Sequence, residues 1–285
     1  MNINQCQLIS LSEHCYRLSN LLGHKELSFE THYREQKMPN NGEHLDWLDA
    51  REWLRIASSI VHTEVDTTRF DESVQWCRSA WEYESERSKL LSFLTTELAV
   101  FSFIWGALET LIKVINPPRV PANLKPRASD IDRAIYFLKT QYEPSKPIPP
   151  YQDTVGGIRQ ILKSLPDYGD LSETFRLEPF MGISGVGLHV VRKIRNRFAH
   201  GTMRFPSPEG WGDSDPPHVE LIQTSCRIVL LSIQMLLDAH FRDDQFLLDG
   251  IIGDQCPNDA KSVHFLLGTL HIQGPETDKG QPILM

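Results

Sequence analysis

Residues 88–115 read SKLLSFLTTELAVFSFIWGALETLIKVI. Leu91, Leu94, Leu98, Phe101, Trp105, Leu108 and Ile112 recur there at steps of three and four, which lays them along one helix face. Asn116-Pro117-Pro118 closes the stretch, because proline has no backbone N–H and cannot continue the ladder.

The same reading extends outward. Ser129 is a good N-cap for a helix through Ile131, Ile135 and Leu138. The proline-rich EPSKPIPPY, residues 143–151, reads as a stiff connector, followed by a short helix over about 158–165. A helix over 188–200 is stopped by Gly201, a favourable C′ residue. Another starts near Pro217 and runs through Ile222, Cys226, Val229, Leu230, Ile233, Leu236 and Leu237 to about Phe241; apolar on most sides, it is expected in the core. Towards the N-terminus, Leu45, Leu48, Trp53, Ile56 and Ile60 support an amphipathic helix, whereas 16–33 is less periodic and reads as strand or loop. Residues 263–267 and 270–272 suggest two short paired strands or a loosely attached tail. The expectation is a mainly α protein, with a mostly helical extension over 1–85, a helical bundle over 86–245 and a tail over 246–285 that can form a short hairpin.

The chain has 285 residues, with 29 Lys and Arg against 37 Asp and Glu, a net charge of −8. That excludes a polycation that binds nucleic acid with its whole surface. The charge is unevenly spread: residues 1–90 carry −5, 91–204 carry +5 and 205–285 carry −8. The first residues lack the basic start and apolar run of a signal peptide. The longest uncharged apolar runs, 98–108 and 228–237, fall short of the ~20 residues that span a bilayer. Five scattered cysteines without a C-x-x-C read as reduced thiols. A cytoplasmic protein without a membrane partner is expected.

Metal chemistry finds little support. The 11 histidines include no H-E-x-x-H and no cluster at ligand spacing, and His14, His24, His32 and His44 read as surface residues. No metal and no cofactor is expected. Gly182-Ile183-Ser184-Gly185-Val186-Gly187 lacks the Lys-Ser/Thr ending of a phosphate loop and reads as a flexible lead into the next helix.

Residues 190–202, VVRKIRNRFAHGT, carry the chemistry. Arg192, Lys193, Arg195, Arg197 and Arg204 crowd together with no acidic residue among them. Val191, Ile194 and Phe198 can anchor one helix face, while Asn196 and His200, four apart, share another with Arg192; Arg195 lies beside it. Cleaving RNA without a metal requires an acceptor for the 2′-hydroxyl proton and a donor for the leaving 5′-oxygen, work suited to histidine near neutral pH. A guanidinium stabilises the charge that gathers on phosphorus oxygens in the transition state. Further arginines hold flanking phosphates. From the residues alone, the segment also fits a solvated helix face closed by a C-terminal cap.

Arg195-Asn196-Arg197-Phe198-Ala199-His200 fits the R-(N/D/H)-x-x-x-H motif and resembles the HEPN superfamily. Residues 98–115 resemble that family's long early helix, and 219–241 the apolar helix after the motif, so the resemblance covers about 86–241. It implies a HEPN-like up-and-down helical bundle that dimerises, with two motif copies forming one composite site. It also implies a metal-independent ribonuclease of defence or toxin–antitoxin type, with RNA and an antitoxin or regulatory protein as partners. By position, Arg195 and His200 become the catalytic pair, with Asn196 beside them. Extending the pattern, Arg192, Lys193, Arg197 and Arg204 become RNA-phosphate contacts, and Glu109 is either a supporting residue that pairs with a motif arginine or a surface glutamate at the helix edge. Some members of the family bind RNA, nucleotides or proteins without cutting, which is the alternative reading.

Overall fold

A computed structural model describes residues 7–24, 46–71, 76–142, 146–208, 216–243, 247–248 and 261–273. The secondary structure is mainly helical. In chain order it comprises α1 (Leu11–Leu22), α2 (Trp47–Ser59), α3 (Arg78–Ile115), α4 (Asp130–Gln141), α5 (Tyr151–Ser164), a 3-10 segment (Pro166–Phe175), α6 (Ile183–Ala199), α7 (Pro217–His240), β1 (Leu247–Leu248), β2 (Lys261–Ser262) and α8 (Val263–Thr269).

Local signals explain most boundaries. α3 ends at Asn116, which adopts the left-handed conformation (φ 47°) and donates its N–H to the Ile112 carbonyl at 2.9 Å. α4 opens with a capping box: the Ser129 hydroxyl accepts from the Asp132 N–H, and the Asp132 carboxylate accepts from the Ser129 N–H. α7 lies at the centre, with Leu221, Ile222, Cys226, Val229, Leu230 and Leu236 all fully buried. Helices α3, α5, α6 and α1 pack around it, α4 packs on α6, and α2 bridges α1 and α3. A single buried apolar cluster takes in Leu18 of α1, Leu54 of α2, Leu108 of α3 and Leu267 of α8. α3 runs without a break across residue 86, and its N-terminal half leaves the cluster, exposing Trp81 and Tyr83.

Several expectations need correction. Within 16–33, Tyr16 to Leu22 are helical, in α1, and 25–33 lie outside the described residues. Cys15, Leu18, Leu21 and Leu22 supply the buried spacing of three and four. In the tail, 263–269 form a helix rather than a strand, because the Ser262 hydroxyl caps it by accepting from the Phe265 N–H. The short ladder instead pairs Leu247–Leu248 with Lys261–Ser262. Residues 270–272 return to the N-terminal segment: Ile9 donates to the His271 carbonyl at 3.2 Å, and Leu8 bridges Ile272.

The glycine-rich stretch is no flexible lead. Gly185 and Gly187 sit inside α6, and their missing side chains let neighbours approach. A Cβ on Gly187 would meet the Tyr151 hydroxyl at 2.6 Å and Ile228 Cγ2 at 2.7 Å. The Gly187 N–H donates to that hydroxyl at 2.9 Å, tying α6 to α5. Gly187→Ala is therefore expected to lower stability by about 1–3 kcal/mol despite alanine's better helix propensity, read as a lower denaturant midpoint; an unchanged midpoint would contradict this packing.

His14 is not a surface residue. It is fully buried beside Gln234 and His271. Its Nε2 lies 2.7 Å from Gln234 Oε1, and Arg227 Nη1 lies 2.9 Å from its Nδ1. Since arginine only donates, His14 accepts at Nδ1 and donates at Nε2, the neutral tautomer. Gln234 Nε2 donates to the Leu267 carbonyl and faces His271 Nδ1 at 3.2 Å, so α1 and the end of α8 are fastened across α7. His32 and His44 lie outside the described residues.

A second polar device lies along α3. The extended segment after α2 presents alternate N–H groups to hydroxyls one helical turn apart. Thr63 donates to Thr96 Oγ1 at 2.8 Å, Val65 to Ser92 Oγ at 2.8 Å and Thr67 to Ser88 Oγ at 3.0 Å. The match is geometric: two extended residues rise about 6.6 Å and four helical residues about 6 Å. Replacing Ser88, Ser92 and Thr96 together by alanine is expected to free this strap. The readout is faster amide exchange at Thr63, Val65 and Thr67 with little change at α7; unchanged exchange would rule the ladder out as the fastening.

Both α3 and α7 are long and apolar enough to cross a membrane by length and composition, once the few charges flanking the shorter uncharged runs are tolerated. The apolar window of α7 is 83% buried within the bundle and that of α3 50%, so core packing accounts for most of α7 and for about half of α3.

Candidate functional site

The motif occupies the last turns of α6. Val190, Val191 and Ile194 are fully buried and fix the helix against the bundle. The helix ends in a Schellman arrangement: Thr202 donates to the Arg197 carbonyl at 2.9 Å and Gly201 to the Phe198 carbonyl at 3.2 Å. Gly201 has φ 63°, a conformation that glycine adopts without cost, so the sequence signal for the helix end is met. His200 is the C-cap residue, exposed, and its ring has no hydrogen bond or ion pair among the described residues. Asn196 lies one turn earlier, partly exposed, on the same side.

The basic residues diverge around the helix. Arg195 and His200 are five positions apart, roughly 140° around the axis, so within one chain they do not converge. The Arg195 guanidinium carbon lies 5.9 Å from the Trp105 ring centre on α3 and forms no ion pair among the described residues. Arg192 turns the other way. Its Nη1 donates to Asp132 Oδ1 at 2.7 Å and to Ser129 Oγ at 3.0 Å, at the cap of α4. Lys125 reaches the same carboxylate oxygen at 2.9 Å. Although burial pushes the Asp132 carboxyl up, hydrogen bonds from Lys125 and Ser129 and the Arg192 charge hold it at about 2. Arg192 is thus committed to joining α4 and α6, unlike the phosphate contact expected of it. Beside it, burial and then the Arg192 charge hold His189 at about 4, against a weaker pull from Glu178.

Arg197 pairs with Asp170 and stacks 4.9 Å from the Tyr168 ring centre, both in the 3-10 segment. Lys193 is exposed and forms no ion pair among the described residues, and Arg204 is exposed beyond the helix end. Glu109 does not ion-pair with a motif arginine. Its Oε1 accepts the Trp105 indole N–H at 2.6 Å, so Glu109 and Arg195 meet the same ring from different sides.

Arg195, Phe198 and Ala199 border an open groove of about 640 Å³ whose other walls are α2 and α3. Trp53, Phe101, Trp105 and Lys113 belong to this surroundings of Arg195, and sequence reasoning missed them as site residues. The available signal was Gly106 in the middle of an apolar helix face, a position where another ring can lie against the backbone. The partners of Arg197, Tyr168 and Asp170, lie in an irregular segment without periodicity.

Among the described residues there is no group of three or more His, Cys, Asp or Glu placed to hold a metal ion. No protein-family model, curated protein or solved structure matches this chain.

Proposed function

We propose that the chain is a HEPN-type endoribonuclease that cleaves RNA without a metal. The observation that carries this reading is the end of α6. There a buried face fixes a helix whose Asn196 and His200 side chains have no partner among the described residues, while Arg195 is held by one ring contact and by no carboxylate among them. A cation–π contact of a half-exposed arginine on a buried ring is worth about 1–2 kcal/mol, less than the paired charge-assisted hydrogen bonds a phosphate offers.

In the proposed step the 2′-oxygen attacks the adjacent phosphorus, forming a P–O2′ bond and breaking the P–O5′ bond. The 2′-hydroxyl proton goes to a base and the 5′-oxygen receives a proton. The products are a 2′,3′-cyclic phosphate and a 5′-hydroxyl. One His200 cannot start both as empty base and as loaded acid. The divergence of Arg195 and His200 within one chain favours a HEPN-like bundle paired as a homodimer, with each copy supplying half of a composite site. Lys193, Arg197 and Arg204 then border the RNA. The same reading carries an antitoxin-like or other regulatory partner and a cytoplasmic setting in defence.

The test is a mixed RNA pool incubated with the protein in EDTA, with mass measured in parallel by light scattering. Shortened RNA and a dimeric mass are expected. RNA left intact at every protein concentration would replace the enzyme by a non-cutting binding module.

A further inference from the structure

We propose that the groove between α2, α3 and α6 is a subsite for a purine base of single-stranded RNA, next to the reacting phosphate. The polymer as ligand rests on the ribonuclease reading; base binding itself is measurable without cleavage.

The groove has the size and surface of a nucleobase site. About 640 Å³ falls within the range of small-molecule sites. Trp53 and the half-buried Phe198 line it, and Phe101 and Trp105, themselves buried, complete the apolar lining. Trp53 is 39% exposed, and its ring lies over Gly106. A Cβ on Gly106 would come within 2.9 Å of Trp53 Cε3, so the absence of a side chain lets this wall stand against α3. Phe103 supports it, with ring centres 5.5 Å apart.

The polar groups complete the match. Arg195 and Lys113 both border the groove and neither ion-pairs among the described residues, so two cations face one carboxylate, Glu109, in a chain of net charge −8. That balance suits a phosphate flanking the base. Glu109 uses Oε1 for the Trp105 indole, which anchors the carboxylate and leaves Oε2 to accept from a base amino or ring N–H group. A flat ring against the exposed Trp53, an edge that donates and an attached phosphate together describe a nucleotide. A purine, with its larger stacking face, is the base expected to gain most from the exposed Trp53 ring. Because Arg195 belongs to both the groove and the motif, a base held here sets its phosphate beside the motif.

Equilibrium dialysis of the full-length protein with 5′-AMP, 5′-UMP and ribose 5-phosphate tests this. AMP is expected to bind at least tenfold more tightly than ribose 5-phosphate, and more tightly than UMP. Trp53→Ala should weaken AMP at least tenfold, in line with the cost of losing one stacked base, and Trp53→Phe should retain most of the affinity. Glu109→Gln should weaken AMP and UMP alike, since both bases present an N–H donor, and circular dichroism shows that each variant is folded. Equal affinity for AMP and ribose 5-phosphate, or AMP binding untouched in a folded Trp53→Ala, overturns the proposal. So does a Trp53→Ala variant that merely dissociates a dimer. His200→Ala separates the two readings: it should keep AMP binding while losing cleavage. If the wild type binds AMP as described but cuts nothing, the subsite stands and the ribonuclease reading falls. If it cuts RNA but ignores AMP, the reverse holds.

Discussion

Lowering the pH from 7 to 4 is expected to strip the fold of several kcal/mol and to unfold it cooperatively. The cause is the neutral histidines inside it. Burial, then the Arg227 and His271 charges, hold His14 well below the ordinary value of 6.5, against a smaller pull from Gln234. Burial brings His271 down to about 4, with the Pro149 carbonyl opposing and Arg227 assisting. In the unfolded chain both titrate near 6.5. Between 6.5 and 4 the unfolded state therefore binds protons that the folded state refuses, and stability is lost as pH falls through that window. For His271 the span corresponds to roughly 3 kcal/mol by pH 4. His14 adds to it with the same sign, because a proton on Nδ1 would remove the acceptor of the Arg227 hydrogen bond and set two cations together. His189 contributes in the same direction. The check is a series of urea melts from pH 8 to 4. His271→Gln should flatten the dependence between pH 6.5 and 4; a wild-type midpoint that stays constant from pH 7 to 4.5 would show that these side chains are not buried and neutral.

That prediction draws on what the sequence concealed. His14 stands in a stretch where Ser12, Glu13, Arg17 and Asn20 blur the periodicity, and its partners are more than 200 positions away. The long helices were legible because each carries its own evidence: Leu91 to Ile112 mark α3, Ser129 caps α4, and Pro217 and Gly201 bracket what surrounds them. The tail was misread because the apolar run 263–267 has no inherent period, and only the Ser262 cap tips it to helix. The motif was legible as a string but its directions were not. Arg192 and Arg195 are one turn apart in sequence terms, yet Asp132 draws the first towards α4 and Trp105 the second towards α3. Neither partner can be inferred from a helical repeat.

Replacing His200 by alanine is expected to lower RNA cleavage about 10²–10⁴-fold while leaving folding unchanged. The ring is exposed at a C-cap, its backbone N–H donates to the Asn196 carbonyl at 2.9 Å, and alanine preserves that bond. Gly201, not His200, carries the left-handed turn. The thermal midpoint should accordingly move by no more than a surface substitution's ~0.5 kcal/mol. Arg195→Ala should also abolish most cleavage and release only the weak Trp105 contact. Arg192→Ala should behave differently: it removes one of the two cations on the buried Asp132, leaving Lys125 and the Ser129 cap, so stability falls first and any loss of cleavage follows it. A folded, stable Arg192→Ala with cleavage lost outright would return Arg192 to the RNA-contact set.

The ribonuclease reading is tested most directly by the chemistry of the fragment ends. RNA of defined sequence is cut in EDTA, and the termini are identified by mass. The account predicts 2′,3′-cyclic phosphates and 5′-hydroxyls from the wild type and none from His200→Ala at equal protein. Fragments ending in 3′-hydroxyls and 5′-phosphates, or the same cyclic ends at the same rate from His200→Ala, would contradict it.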